Sequence, residues 1–296
     1  MIVVVASIKG APGVTTTATA LATAWPTGRR VLLVEADPFG GDLAAWCGVA
    51  PSSGLWSLLA AGRRGLDSDA LWKHTANLPT GLPVLYGLAS ADQAVANEAA
   101  WPVVAEALAA LEADVVIDAG RLLPHFAGGI GPLLSVADVL MLLCPPTLAG
   151  IFHLKTSLPA LAAISSSMRL MVQPTAQRGF SPDEIASTLS VNVAPPIPHD
   201  AKGAAALSEN APGWATRKSA LAKWGRGCAA ELAASSSAAA ETAPATQVPL
   251  SDPDIGTHTL GPPRTEIEHH NGTAHLNDTE HSKDTEPSAA PTGVAR

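Results

Sequence analysis

Four short runs of the chain contain no polar residue: 2–5, 31–34, 115–117 and 139–143, all built from Val, Ile, Leu and Met. A strand with one face in water alternates apolar and polar side chains, whereas a strand buried on both faces does not. These runs therefore predict a parallel sheet covered by helices on each side. Residues 83–86, 169–172 and 191–193 are further, less uniform strand candidates. Helical spacing fills the intervals. Ala18, Leu21, Ala22 and Trp25 recur at i, i+3, i+4, i+7 in a helix that begins near Thr15. Trp101, Val104, Ala105, Leu108 and Leu111 repeat that spacing, with Asn97 as predicted N-cap and Pro102 in the first turn. Residues 148–164 and 182–189 read as further helices, the second announced by Ser181-Pro182-Asp183-Glu184. Strand and helix alternating in this way predict a doubly wound, mostly parallel α/β domain over residues 1–234.

Residues 235–296 differ in kind. They hold 9 acids and 3 bases, so −6 of the formal net charge of −8 belongs to them, and no aromatic residue follows Trp224. A segment rich in Ser, Thr, Pro, Ala, Asp and Glu cannot bury enough apolar surface to offset its ordering entropy. It is expected to be a disordered tail, its boundary near residues 235–237. The three cysteines, Cys47, Cys144 and Cys228, form no CxxC, which argues against a disulfide framework, a zinc site or an iron–sulfur site. With no signal-peptide pattern at residues 1–10 and no apolar run near membrane-spanning length, a cytoplasmic protein is expected. His269, His270, His275 and His281 cluster only in the tail, where nothing preorganises them for metal.

The first apolar run leads into Lys9-Gly10-Ala11-Pro12-Gly13-Val14-Thr15-Thr16-Thr17, and a helix follows at once. Small residues between strand and helix let backbone N–H groups close around a phosphate, and the helix N-terminus adds partial positive charge. A hydroxyl from Thr15 or Thr16 suits Mg²⁺. Against the P-loop pattern G-x-x-x-x-G-K-[ST], Gly13 and Thr15 align, Ile8 replaces the first glycine and Val14 replaces the lysine. That lysine normally reaches the β- and γ-phosphates, and valine offers nothing polar in its place.

Lys9 through Thr16 resembles the deviant Walker A loop of the MinD/ParA family, K-G-G-x-G-K-T-T, with its early signature lysine. Arg30-Val31-Leu32-Leu33-Val34-Glu35-Ala36-Asp37-Pro38 is similar to the family's second strand and D-x-D-P segment, and Asp114-Val115-Val116-Ile117-Asp118-Ala119-Gly120 to its Walker B strand. Ala137-Asp138-Val139-Leu140 and Pro196-Ile197-Pro198-His199-Asp200 fall where the family has its A-D-x-V strand and late I-P-x-D segment. The blocks keep the family's order across residues 1–230. The resemblance implies a P-loop NTPase-like fold with ATP and Mg²⁺ bound by Lys9, Gly10, Ala11, Pro12, Gly13, Val14, Thr15, Thr16 and Pro198. It also implies that Asp37 orients the attacking water, that Thr15, Asp37 and Asp118 serve the metal, mostly through water, and that Lys9 reaches across a homodimer. Gln173 stands near the family's base-reading Asn, and Arg121 follows the Walker B segment in place of its usual proline.

Three functional readings follow. The first is an ATP-dependent switch, a slow ATPase whose dimer positions a cargo: DNA, secretion or pilus machinery, or a cell pole. The second is a non-hydrolysing scaffold in which Val14 has removed the loop charge. The third, a metabolic enzyme on the same fold, lacks any substrate-domain motif. Residues 217–232 carry Leu221, Trp224, Cys228 and Leu232 on one side and Arg217, Lys218, Lys223 and Arg226 elsewhere. Such a helix suits DNA or an anionic membrane, but the favoured expectation is the domain's last helix, packing its apolar stripe on the core.

Overall fold

The computed structural model describes residues 1–10, 13–26, 28–49, 54–62, 65–123, 129–173, 179–209, 211 and 217–242. Among them lie strands β1 (Ile2–Ser7), β2 (Val31–Glu35), β3 (Ala76–Asn77), β4 (Pro83–Leu85), β5 (Asp114–Arg121), β6 (Val139–Cys144), β7 (Met168–Val172) and β8 (Asn192–Val193). They form one sheet in the order β3-β4-β2-β5-β1-β6-β7-β8. Every pairing is parallel except β3 with β4. The helices are α1 (Val14–Thr23), α2 (Leu43–Trp46), α3 (Leu55–Gly62), α4 (Ser68–Lys73), α5 (Ala91–Ala96), α6 (Trp101–Ala109), α7 (Ile130–Ser135), α8 (Leu148–Ala162), α9 (Pro182–Leu189), α10 (Ala201–Ser208) and α11 (Ala220–Thr242). None of the described helices is long and apolar enough to cross a membrane.

The expected double burial holds. Val3, Val5, Leu33, Val116 and Met141 pack toward α1, α2 and α11, while Val4, Leu32, Val34, Ile117 and Leu142 pack toward α3, α4, α6, α7, α8 and α9. Successive side chains of a strand point to opposite faces, so each polar-free run feeds two cores at once. The central strands β2, β5, β1 and β6 thus bring their C-terminal ends together on one rim.

Three local expectations change. Asn97 does not cap α6: its amide donates to Gln93 O at 2.8 Å and closes α5, and the 3-10 turn Glu98–Ala100 intervenes before α6. An Asn side chain competes for nearby backbone groups at either end of a helix. The last helix begins at Ala220 rather than Arg217, and it runs through residues 235–237 to Thr242. Ala238, Ala239 and Ala240, strong helix formers, lie in its last turn, so helix continues beyond residue 234. Residues 243–296, including the tail histidines, lie outside the described residues.

At the opposite rim, Asp114 accepts from the Trp25 indole at 2.8 Å, from Arg29 Nη2 at 2.6 Å and Arg29 Nε, and from the Met1 amino group at 3.1 Å. Burial alone would raise its pKa. These donors outweigh it and hold the carboxyl down at about 2.

Candidate functional site

The loop from β1 to α1 turns at Gly10 (φ 73°) and Gly13 (φ 102°), left-handed conformations that suit glycine. Ala11 and Pro12 lie outside the described residues. Gly13 caps α1 without a side-chain hydrogen bond, so the first amides of this ten-residue helix receive no cap from the Gly13 side. Val14 is buried, at 5 % exposure, in the cluster beneath α1. Its side chain belongs to the core, and only its backbone faces the loop.

Asp118 sits on β5, directly opposite Glu35 of β2 and Val5 of β1. It is fully buried. Oδ1 accepts from Gly120 N at 3.0 Å, and Oδ2 has no hydrogen-bond partner among the described residues. Burial pushes its carboxyl up to about 7; the Thr15 hydroxyl and Gly120 N–H oppose the shift, while Glu35 and Asp37 reinforce it. An orphaned carboxylate oxygen in a negative corner beside a hydroxyl fits a hard divalent cation. Mg²⁺ commonly takes one or two protein oxygens and completes its shell with water and phosphate. Among the described residues no group of three or more His, Cys, Asp or Glu side chains is placed to hold a metal ion.

Asp37 follows β2, accepts from Phe39 N at 2.8 Å and has its carboxyl raised by burial. Its carboxylate lies against Gly120, whose φ is 52°. A methyl group there would fall 1.8 Å from Asp37 Oδ2. Glu35 does something sequence reasoning missed. Its Oε1 accepts from Asp42 N at 2.6 Å and Leu43 N at 2.7 Å, and Oε2 from Gly87 N at 2.7 Å. The buried carboxylate ties the loop after Asp37 to the chain leaving β4. Gly41 and Gly87 were the available signal, because a side chain on either would collide with Glu35.

A cavity of about 270 Å³ adjoins the start of α1, lined by Gly13, Thr16, Gln173, Pro198 and His199 among others. Gln173 and Pro198, far apart in sequence, thus meet the phosphate-type loop.

Many solved structures share this architecture. The ParA family ATPase from Chlorobium tepidum TLS is 19 % identical, over 78 % of this chain and 98 % of that one, with TM-score 0.66. MinD from Pyrococcus horikoshii OT3, complexed with Mg-ADP, is 19 % identical over 78 % and 96 %, TM-score 0.61. The cell division ATPase MinD of Pyrococcus furiosus is 20 % identical over 79 % and 98 %, TM-score 0.60. This is the ParA/MinD fold. No sequence-family model and no curated protein sequence matches the chain.

On this ParA/MinD fold, Thr15 and Asp37 lie near the Asp118 carboxyl, while Lys9 points toward α8. Its Nζ stands 3.1 Å from His153 Nε2 on α8. No pattern in the sequence pairs residues 144 positions apart. Arg121 is exposed, its Cδ 3.5 Å from where a Gly10 side chain would begin and its guanidinium 5.8 Å from the centre of the Phe39 ring. Leu221, Trp224, Cys228 and Leu232 are buried, and Arg217, Lys218, Lys223 and Arg226 are exposed. The apolar stripe of the last helix therefore packs on the domain. Cys144 and Cys228 are buried thiols, each pushed by burial up to about 11, and Cys47 is half-buried.

Proposed function

We propose that this chain is a nucleotide-dependent switch that binds Mg-ATP at the β1–α1 loop, associates with a second copy when loaded, and positions a protein or DNA cargo. The observation that carries the reading is Asp118: a fully buried carboxylate with an unpartnered oxygen, beside Thr15 and Asp37 at the end of the central strands. Thr15 and Asp118 are the residues to hold Mg²⁺, which when bound would neutralise charge on the β- and γ-phosphate oxygens. Backbone amides at the start of α1 would cradle the phosphates. Asp37, held by Phe39 N–H and by its seat on Gly120, would orient the attacking water. The base would enter the cavity lined by Gln173 and Pro198. Lys9 would leave His153 to reach the phosphates of the second subunit. Hydrolysis would be slow, because Val14 brings no charge to the leaving phosphates.

A non-hydrolysing scaffold is the second reading, and two observations favour it: Val14 is part of the core, and Lys9 is turned toward α8. Mg-ATP binding, turnover and dimerisation of the wild type, Lys9→Ala and Val14→Lys separate the two. The switch predicts detectable turnover that disappears in Lys9→Ala. Binding without turnover supports the scaffold, and no binding at millimolar ATP sinks the switch.

A further inference from the structure

Val14 leaves the loop without its usual cation, yet a triphosphate carries several negative charges that Mg²⁺ alone does not neutralise. The same corner already holds Asp37 and Asp118. Two cations belong to the segments that adjoin it, Lys9 to the loop after β1 and Arg121 to the end of β5. Lys9 is engaged with His153 at 3.1 Å. Arg121 makes no hydrogen bond or ion pair among the described residues; its only recorded partner is the Phe39 ring.

The position of Arg121 follows from the backbone. β5 pairs with β1 in a register that shifts after Val5, setting Arg121 opposite Ser7, the last residue before the loop. Gly120 turns the chain through a left-handed conformation against Asp37. The next side chain therefore leaves the rim between Gly10 and Phe39, at the junction of the phosphate-type loop and the Asp37 loop. A guanidinium on an aromatic face keeps its N–H edges available, and that planar fork matches phosphate oxygens.

We propose that Arg121 supplies the phosphate-binding cation that Val14 does not, contacting the terminal phosphates of a bound nucleoside triphosphate. This assignment rests on the nucleotide reading above. It places the compensating charge on the Walker B-like strand rather than in the loop.

The test is titration calorimetry with Mg-ATP and Mg-AMP on the wild type, Arg121→Gln and Arg121→Lys, with melting temperatures recorded. Arg121→Gln should weaken Mg-ATP about tenfold or more, a charge-assisted phosphate contact being worth that much. Mg-AMP affinity should move less than about twofold on the same scale. Arg121→Lys should recover part of the loss, and the melting temperatures should agree, since Arg121 is exposed. Equal Mg-ATP affinity in Arg121→Gln overturns the assignment, as does an equal loss for ATP and AMP. A wild type that binds neither nucleotide overturns the nucleotide reading itself, a result distinct from either.

Discussion

Gly120→Ala tests whether the seat of Asp37 is as tight as the geometry says. The new methyl would fall 1.8 Å from Asp37 Oδ2, 2.0 Å from Cγ and 2.7 Å from Cβ, so the aspartate must move. Holding alanine near φ 52° costs about 1–2 kcal/mol. Moving Asp37 off Phe39 N–H costs about 1 kcal/mol more. Alanine stiffens the unfolded chain and returns about 0.5 kcal/mol. The net expectation is a loss of about 2 kcal/mol, read by urea unfolding. Turnover, where present, should fall about a hundredfold for a displacement near 1 Å, with Mg-ATP affinity little changed. A double-mutant cycle isolates the contact. Asp37→Gly removes all three atoms that the methyl meets, so Gly120→Ala should cost about 1 kcal/mol less in that background than in the wild type. Additivity within about 0.5 kcal/mol would refute the contact, whether or not the chain turns over ATP.

Three further outcomes follow from the packing. Asp114 has its pKa depressed to about 2 in the folded state from the ordinary 3.8, so its stabilisation is complete above about pH 4 and is lost as pH falls toward 2. Asp114→Asn should therefore cost about 1–2 kcal/mol at pH 7, screening by solvent reducing the full linkage value, and close to nothing at pH 2, measured by denaturation across pH; a pH-independent cost would contradict the donor network. Glu35→Gln should destabilise by about 3 kcal/mol, because an amide cannot accept from Asp42, Leu43 and Gly87 together and one buried donor is left unpaired. A loss below about 0.5 kcal/mol would dismiss the tie. Gly225→Ala places a methyl 2.7 Å from Ala20 O and should destabilise, whereas at Gly227 the space is open and alanine should stabilise by up to about 1 kcal/mol. Matching signs from the two thermal melts would contradict the helix contact.

The sheet was legible because double burial removes polar residues from a strand, leaving a pattern no half-exposed strand shows. β3 left no such trace, since Ala76 and Asn77 are too few to carry a period. The positions of Asp37 and Asp118 on one rim were legible for a related reason: the apolar runs set the strand ends, and these two residues follow them. Relations across the fold were not. Glu35 looked like one more rim carboxylate until Gly41 and Gly87 were seen against it, and nothing in the sequence pointed to the approach of Lys9 to His153 on α8. Asn97 was ambiguous in principle, because the same amide can open one helix or close another.

Gly225, a weak residue for an isolated helix, has a mechanical consequence. Its missing side chain lets α11 rest on the backbone of α1 at Ala20, with no side chain between to yield. The first turn of α1 is the floor of the phosphate-type loop, so a tilt imposed there passes to α11 as a whole. From Gly225 to Thr242 the helix extends about 25 Å, so a rotation of about 5° moves its far end by about 2 Å. The start of α1 and the Thr242 end of α11 thus belong to two helices that meet backbone to backbone.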